Sequence, residues 1–298
     1  MRVEFSDGVL LRGDGLLRAV LRTDLTPVPS TVEIEVREDD SMAVRFAEGQ
    51  VFFCGRERDA YRVVKLARKK DFGMVVKESD VRALTATAEL DACHPVSFRM
   101  QRAIIKENAS VGEVYRACGA TAQVATDLQI PRFSCFIGQV PSFALATVLQ
   151  EESAAACWRE GKLNIFRLTT LAAQDPVETI QRDTSKEIES GFLERHTVPW
   201  FYSTDTAGQF AFGPRVKARD ARYVHRTGPR ILNNLSRVLL LRRILIGTFA
   251  PQINAGDVLQ VATSKFVVIT AAHVFETGAD GSGSNQYSRF WLGEVQDG

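Results

Sequence analysis

Thr31-Val-Glu-Ile-Glu-Val36 alternates apolar and polar residues with a period of two. That is the repeat of a strand with one face in a core and the other in water. Working outward, Val44–Phe46, Val51–Cys54, Tyr61–Leu66 and Val81–Leu90 read as further strands, with Gly49 and Gly55 punctuating them. The N-terminal region is therefore expected to form a small barrel or sandwich.

The C-terminal region has the same character. Thr197–Tyr202 and Gln209–Phe212 flank a turn rich in Thr, Asp and Gly, and Val258–Val261 and Phe266–Thr270 form a second expected pair. Leu235–Phe249 reads equally as a helix or a long buried strand, and Thr277–Asn285, rich in Gly and Ser, reads as a loop. Two stretches echo each other. Ala47-Glu-Gly-Gln-Val51 opens a strand and Tyr61-Arg-Val-Val64 follows; Asn254-Ala-Gly-Asp-Val258 opens a strand and Phe266-Val-Val-Ile269 follows. Gly49 and Gly256 take equivalent places, which points to two copies of one β unit.

Between the two β regions the pattern changes. Ser110-Val-Gly-Glu113 fits a capping box for a short helix running to about Cys118 and ending at Gly119. A second helix is expected from about Ser142 to Glu152, because Phe143, Leu145, Ala146 and Leu149 share one helical face. Ala154–Trp158 and Leu163–Leu168 flank Arg159-Glu-Gly-Lys162, a hairpin with Gly161 at its turn. Asp175-Pro176 suits a helix start. The expected organisation is a first β-barrel domain at 1–96, an inserted α+β domain at 97–190 and a second β-barrel domain at 191–298. The fold class is β-rich α+β.

Of 298 residues, 45% are hydrophobic and 24% charged, which excludes global disorder. The net charge of +1 gives no bulk field to recruit nucleic acid or acidic lipid. The opening Met1–Gly15 carries no apolar core of signal-peptide length, and the most apolar stretch, Val238–Ile246, is broken by Arg242 and Arg243. Neither secretion through a leader nor membrane insertion is expected. Cys54, Cys93, Cys118, Cys135 and Cys157 are widely spaced and form no CxxC pair, so reduced, buried thiols are expected.

Val268-Ile-Thr-Ala-Ala-His273 looks like the segment that carries the catalytic histidine of trypsin-like proteases, and Asp280-Gly-Ser-Gly-Ser284 faintly like their nucleophile loop. Only 25 residues follow His273. That is too few for a second barrel bearing a nucleophile, so His273 reads as an incidental histidine at a strand end. His94, His196 and His225 are scattered, and Cys93-His94, as neighbours, should point to opposite faces of a strand. No metal-ligand spacing and no phosphate-binding glycine motif occurs. The basic run Arg56–Lys70 reads as a solvated strand edge, with a nucleic-acid groove as the other reading. Trp158, Trp200 and Trp291 sit on expected strands, as core residues or interface anchors. No residue is assigned a catalytic, cofactor-binding or metal-binding role.

The order of parts resembles the hub proteins of phage tail baseplates and the related hub portion of type VI secretion spikes. Ser110–Cys118 looks like the helix opening that family's inserted domain, and Pro141–Glu152 with the Ala154–Leu168 hairpin like its helix and hairpin. Pro251-Gln-Ile-Asn-Ala-Gly-Asp257-Val looks like the turn into a late barrel strand, and Phe266–Phe275 and Ser288-Arg-Phe-Trp-Leu-Gly-Glu294 like the closing strands. The resemblance implies a structural virion protein made in the host cytoplasm and placed in the tail baseplate. It implies a homotrimer in which two tail-tube-like β-barrel domains per chain match a six-fold tail tube on one side and a three-fold central spike on the other. Tail tube, spike and other baseplate proteins would be its partners, and DNA would pass through its channel. The 298 residues are fewer than in the larger members, so neither a substantial fourth domain nor a fused spike or lysozyme is expected. Readings from other classes are a virion-associated hydrolase (protease or cell-wall enzyme) using His273, and a nucleic-acid-binding module using Arg56–Lys70.

Overall fold

The computed structural model describes residues 2–69, 75–76, 79–80, 82–180, 186–187, 198–205, 207–215, 219–225, 227–278 and 283–296. The first β region contains β1 (Val3–Phe5), β2 (Leu16–Asp24), β3 (Ser30–Arg37), α1 (Asp40–Arg45), β4 (Val51–Cys54), β5 (Asp59–Lys69), a two-residue ladder of β6 (Val75–Val76) with β7 (Ser79–Asp80), and β8 (Ala83–Leu90). Val32, Ile34 and Val36 of β3 are buried and Glu33 is exposed, as alternation requires. Glu35 departs from it: it is covered, opposite Arg18 of β2. Val44–Phe46 is not a strand. Asp39 caps α1 by accepting a hydrogen bond from the Met42 amide at 2.8 Å, and the helix delivers Phe46 into the core against Phe5 and Phe52.

A 3-10 helix, Asp91–Ser97, leads into the middle region. His94 therefore lies on a helical turn and not on a strand; its Nδ1 is 2.7 Å from Glu89 Oε1 and its ring packs on Phe98. Next come β9 (Ile104–Ser110), α2 (Val111–Ala117), β10 (Val124–Thr126), β11 (Gln129–Cys135), α3 (Pro141–Glu151), β12 (Ala154–Arg159), β13 (Lys162–Arg167), α4 (Leu168–Ala172) and β14 (Glu178–Ile180). The capping box forms: Ser110 Oγ accepts from the Glu113 amide at 3.2 Å, and Glu113 accepts from the Ser110 amide at 2.8 Å. Glu160 and Gly161, both at positive φ, make the two-residue turn between β12 and β13. No helix follows Asp175-Pro176. The Val177 amide donates to Val258 O at 2.8 Å, and the chain enters β14 as an extended segment.

The last region contains β15 (Lys186–Glu187), β16 (Trp200–Thr204), β17 (Phe210–Phe212), β18 (Ala221–Tyr223), α5 (Pro229–Leu235), β19 (Val238–Thr248), β20 (Val258–Val261), β21 (Ser264–Glu276) and β22 (Asn285–Gln296). Leu235–Phe249 thus holds the end of a helix and a long strand. Twelve strands form one sheet, ordered β1-β4-β5-β8-β3-β2-β21-β22-β19-β15, with β20 and β14 branching from β21. The described pairings make an open path with no closed barrel. Within it one order occurs twice. The first β region runs β4-β5-β8-β3-β2 and the last runs β20-β21-β22-β19-β15, with the same antiparallel connections in the same chain sequence.

The echoed turns match bond for bond. The Gln50 amide donates to Ala47 O at 3.0 Å, Gly49 N to Val63 O at 2.8 Å, and Val63 N to Gln50 O at 2.9 Å. Their counterparts are Asp257 to Asn254 O at 3.1 Å, Gly256 N to Val268 O at 2.8 Å, and Val268 N to Asp257 O at 2.8 Å. Gly49 and Gly256 have φ of 87° and 90°, a conformation costly to any residue with a Cβ. The bulges also correspond, between Val63 and Lys65 on β5 and between Val268 and Thr270 on β21. The main apolar core is continuous from Val3 of β1 to Ile165 of β13, so the first β region and the middle region share it. Leu245, Leu259, Phe266, Val268, Phe290 and Leu292 anchor a separate core in the last region.

Candidate functional site

The two five-stranded units join where β2 pairs with β21, from Arg18 opposite Glu276 to Asp24 opposite Thr270. The β12–β13 hairpin and the turn before β20 close over this seam around a cleft of about 350 Å³, lined in part by Thr23, Tyr61, Trp158, Arg159 and Asp257. Arg159, at the end of β12, forms an ion pair with Asp257 at 2.9 Å, donates to Gln174 Oε1 at 2.7 Å, and donates to Gly256 O. Asp257 also accepts from the Asn254 amide at 2.7 Å. Burial pushes the Asp257 carboxyl above its usual value, against the pull of that amide and of Arg159. The Ala255 amide donates to Thr23 Oγ1 at 2.9 Å, and Thr270 donates to Asp24 at 2.6 Å. One turn is thereby tied to both units and to the hairpin. These groups form a clamp: the carboxylate is spent on a cation, and no nucleophile stands beside a base.

Gly256 is tight as well as left-handed. A Cβ there would lie 3.2 Å from Cys157 Sγ, whereas one at Gly49 would meet nothing within 4 Å. Gly49→Ala is expected to cost about 1 kcal/mol for the backbone alone. Gly256→Ala should cost roughly 2–3 kcal/mol, since the hairpin must also give way. Urea unfolding of the two variants checks the difference.

His273 is not incidental and not at a strand end. It lies inside β21, fully buried, with Ser288 of β22 equally buried. Ser288 Oγ accepts from the Ala250 amide at 2.8 Å and lies 2.8 Å from His273 Nδ1, while His273 Nε2 lies 3.0 Å from Ile253 O. A neutral imidazole satisfies all of these, with Ser288 donating to Nδ1 and Nε2–H donating to the carbonyl. The serine–histidine pair looks like half of a triad. Its third partner is a backbone carbonyl, however, and neither side chain reaches solvent. Burial lowers the histidine to about 4. The group latches the segment before β20 onto β21 and β22. The similarity of Asp280–Ser284 to a nucleophile loop and His196 lie outside the described residues, Ser284 and Gly283 apart.

The four arginines of the basic run form ion pairs, while Lys70 and the Lys69 side chain lie outside the described residues. Arg58 pairs with Glu4, Arg62 with Asp91 at 2.6 Å, Arg68 with Glu38 at 3.0 Å and Arg56 with Glu57 at 3.6 Å. That distribution is of a strand edge more than of an anion groove. All five cysteines are buried and unbridged, and burial pushes the Cys54 and Cys93 thiols up to about 12. Among the described residues no three His, Cys, Asp or Glu side chains gather to hold a metal ion, and no helix is long and apolar enough to cross a membrane.

Pattern reading missed two features. Glu152, just past α3, is held at 2.7 Å by both terminal nitrogens of Arg230 from α5, with Arg167 at 3.2 Å. Burial pushes this carboxyl up, but the bonds and charges of the two arginines hold it below its ordinary value. The small sheet β17-β16-β18 carries Trp200, Tyr202, Phe210, Phe212 and Tyr223 in mutual contact, with Arg215 over the Phe212 ring at 3.6 Å. Phe210 is 64% exposed, so part of this cluster faces solvent. Trp158 is buried in the hairpin, and Trp291 is half-buried beside Arg289.

No protein-family model matches the sequence, and no curated protein is similar to it. Solved structures do match. A tail protein from Neisseria meningitidis superposes with a TM-score of 0.67 at 10% identity, covering 98% of this chain and 95% of that one. The 43 kDa tail protein of prophage MuSo2 from Shewanella oneidensis gives 0.62 at 10% identity, covering 98% and 95%. An E. coli component of the type VI secretion system, described as structurally similar to the T4 bacteriophage tail proteins gp27 and gp5, gives 0.54 at 8% identity, covering 93% and 73%. The chain therefore has the fold shared by phage tail proteins and type VI secretion spike components.

Proposed function

We propose that this chain is a structural subunit of a phage tail and, within it, the baseplate hub. Three copies would form a ring that joins the six-fold tail tube to the three-fold central spike and lines the channel through which DNA leaves. The observation that carries the reading is the recurrence of one five-strand order, with matched turns and bulges, inside a single chain. Three such chains present six equivalent units. The middle region and the β16–β18 sheet occur once per chain and supply three-fold features. In domain terms the reading assigns 1–96 and 191–298 to the two tube-like β-barrel domains and 97–190 to the inserted domain, with the main core running from the first barrel region into the inserted one. Likeness in fold to tail proteins, and to structures of a Francisella PdpA-VgrG complex, supports tail tube, spike and other baseplate proteins as partners and the virion as the location. No catalytic role is assigned, because the groups that resemble one, His273 and Ser288, are sealed in the core.

Light scattering over a range of concentrations tests the reading. The expected mass is three times the 33.0 kDa chain. A mass that stays at one chain, with or without spike protein, overturns it.

A further inference from the structure

The small sheet β17-β16-β18 has two unlike faces. Phe201, Ser203 and Ala211 turn inward, and Phe201 packs with Leu232 and Leu235 of α5 in a core of its own. The alternate residues turn outward: Tyr202 lies opposite both Phe212 and Tyr223, and Thr204 opposite Phe210. Phe210, Phe212 and Tyr223 are 64%, 39% and 46% exposed, and Trp200 and Tyr202 are half-buried. Neighbouring ring centroids lie 5.5 to 6.5 Å apart. Beside these five rings, the outward positions of the three strands hold only Thr204 and Ala221.

The charge around this face is local. Residues 198–235 hold five arginines and a lysine against two aspartates and no glutamate, while the whole chain balances to +1. Arg215 is exposed and stacks over the Phe212 ring. Stacking occupies the flat face of the guanidinium and leaves its N–H edge for an anion. At the β18 margin, Tyr223 Oη lies 2.8 Å from Thr204 Oγ1 and 3.3 Å from His225 Nδ1. Tyr223 and His225 are exposed, so donors and acceptors stand within reach of the rings.

We propose that this face binds single-stranded nucleic acid, with bases stacked on the rings and a phosphate held by Arg215. Rings accept any base, because every base has a π face. A duplex keeps those faces inside its own stack and offers the sheet only phosphates and groove edges. An acidic protein segment would suit the charge too, but a protein partner is held by a few anchors seated in pockets amid ordinary side chains. Five rings side by side under a local excess of positive charge are the combination that stacking and phosphate binding use together. The site does not depend on the hub reading, and its test leaves that reading untouched.

Fluorescence anisotropy with a labelled thymidine homopolymer of about 20 nucleotides tests it on the full chain. The wild type is expected to bind with an affinity that falls as salt rises, and to bind a duplex of the same length roughly tenfold more weakly. Phe210→Leu keeps an apolar side chain but removes the ring, and should weaken the complex roughly fivefold to a hundredfold, the range for losing one stacked base. Phe210→Trp should keep it. Arg215→Gln should flatten the slope of log affinity against log salt by about 0.7, one phosphate contact on a single strand. Circular dichroism should be unchanged, because Phe210 and Arg215 are exposed. If Phe210→Leu fails to fold, Arg215→Gln and the wild-type preference for single strand over duplex decide. No binding at about 50 mM salt overturns the proposal. Equal affinity for single strand and duplex, unmoved by Phe210→Leu, overturns it in favour of a plain polyanion surface. Indifference to the oligonucleotide, with capture of an acidic Glu–Tyr copolymer, overturns it in favour of a protein-docking face.

Discussion

Arg159→Ala is expected to lose about 3–5 kcal/mol of folding stability, the usual cost of stranding a buried charge. Arg159 is only 21% exposed and Asp257 only 11%, so water does little to replace the pair. The substitution leaves Asp257 with the Asn254 amide alone, and leaves Gln174 and Gly256 O without the guanidinium. Adding Asp257→Asn to Arg159→Ala should recover part of the loss, because it removes the stranded charge, although Asp257→Asn alone destabilises. The sign with pH also follows. Burial already raises Asp257, and loss of Arg159 raises it further. The folded variant then takes up a proton more readily than the unfolded chain, so the deficit shrinks as pH falls from 7.5 to 5. Urea titrations of the four chains at both pH values check it. A deficit below about 1 kcal/mol would reduce the clamp to a surface contact.

What could be read from the sequence was local. The capping box at Ser110 and Glu113, the turn at Glu160-Gly161 and the paired turns at Gly49 and Gly256 each lie within a few residues. Each also depends on chemistry that one residue type supplies: a hydroxyl acceptor, or a backbone without Cβ. The echo proved informative because a left-handed glycine before a strand is a backbone requirement that substitution cannot easily blur. The misreadings came from competition. Val44–Phe46 has strand composition, but Asp39 five residues earlier supplies a cap and the helix wins. Asp175-Pro176 has a helix signature, but a parallel partner at β20 offers the extended chain its hydrogen bonds.

The clamp and the latch were out of reach for a different reason. Asp257 is 98 residues from Arg159, and Ile253 and Ser288 reach His273 from opposite directions along the chain. Their polar atoms meet only after β2, β12 and β22 are packed. The junction between the units was equally hidden. Part of β21 read as a strand at Phe266–Thr270 and β2 was not singled out, and strand patterns in any case say which face is buried and not which strand lies alongside. The repeat supplies that missing information, because once one unit's neighbours are known the other's are constrained.

His273 gives the last large effect, and here the direction with pH is the test. Its imidazole is lowered to about 4 from an ordinary 6.5, because burial disfavours the charged ring and the Ile253 carbonyl only partly offsets that. Above pH 6.5 both folded and unfolded chains hold it neutral, and it contributes no pH dependence. Between pH 6.5 and 4 the unfolded chain binds a proton that the folded chain refuses, so stability falls as pH falls and levels off below 4. The full span is on the order of 3 kcal/mol. His273→Leu should cost about 2–4 kcal/mol at pH 7.5, since it strands the Ile253 carbonyl and the Ser288 hydroxyl in the core. Its further loss on going to pH 4.5 should be about 2.5 kcal/mol smaller than that of the wild type. Carboxylates titrate in the same window in both chains and cancel in that comparison. Urea unfolding of the pair at pH 7.5 and 4.5, at one protein concentration so that association does not intrude, reads the difference directly. Parallel losses in the two chains would mean that His273 is protonated in the folded protein. The latch would then be a hydrated, accessible histidine, and the case for a solvent-facing serine–histidine pair would reopen.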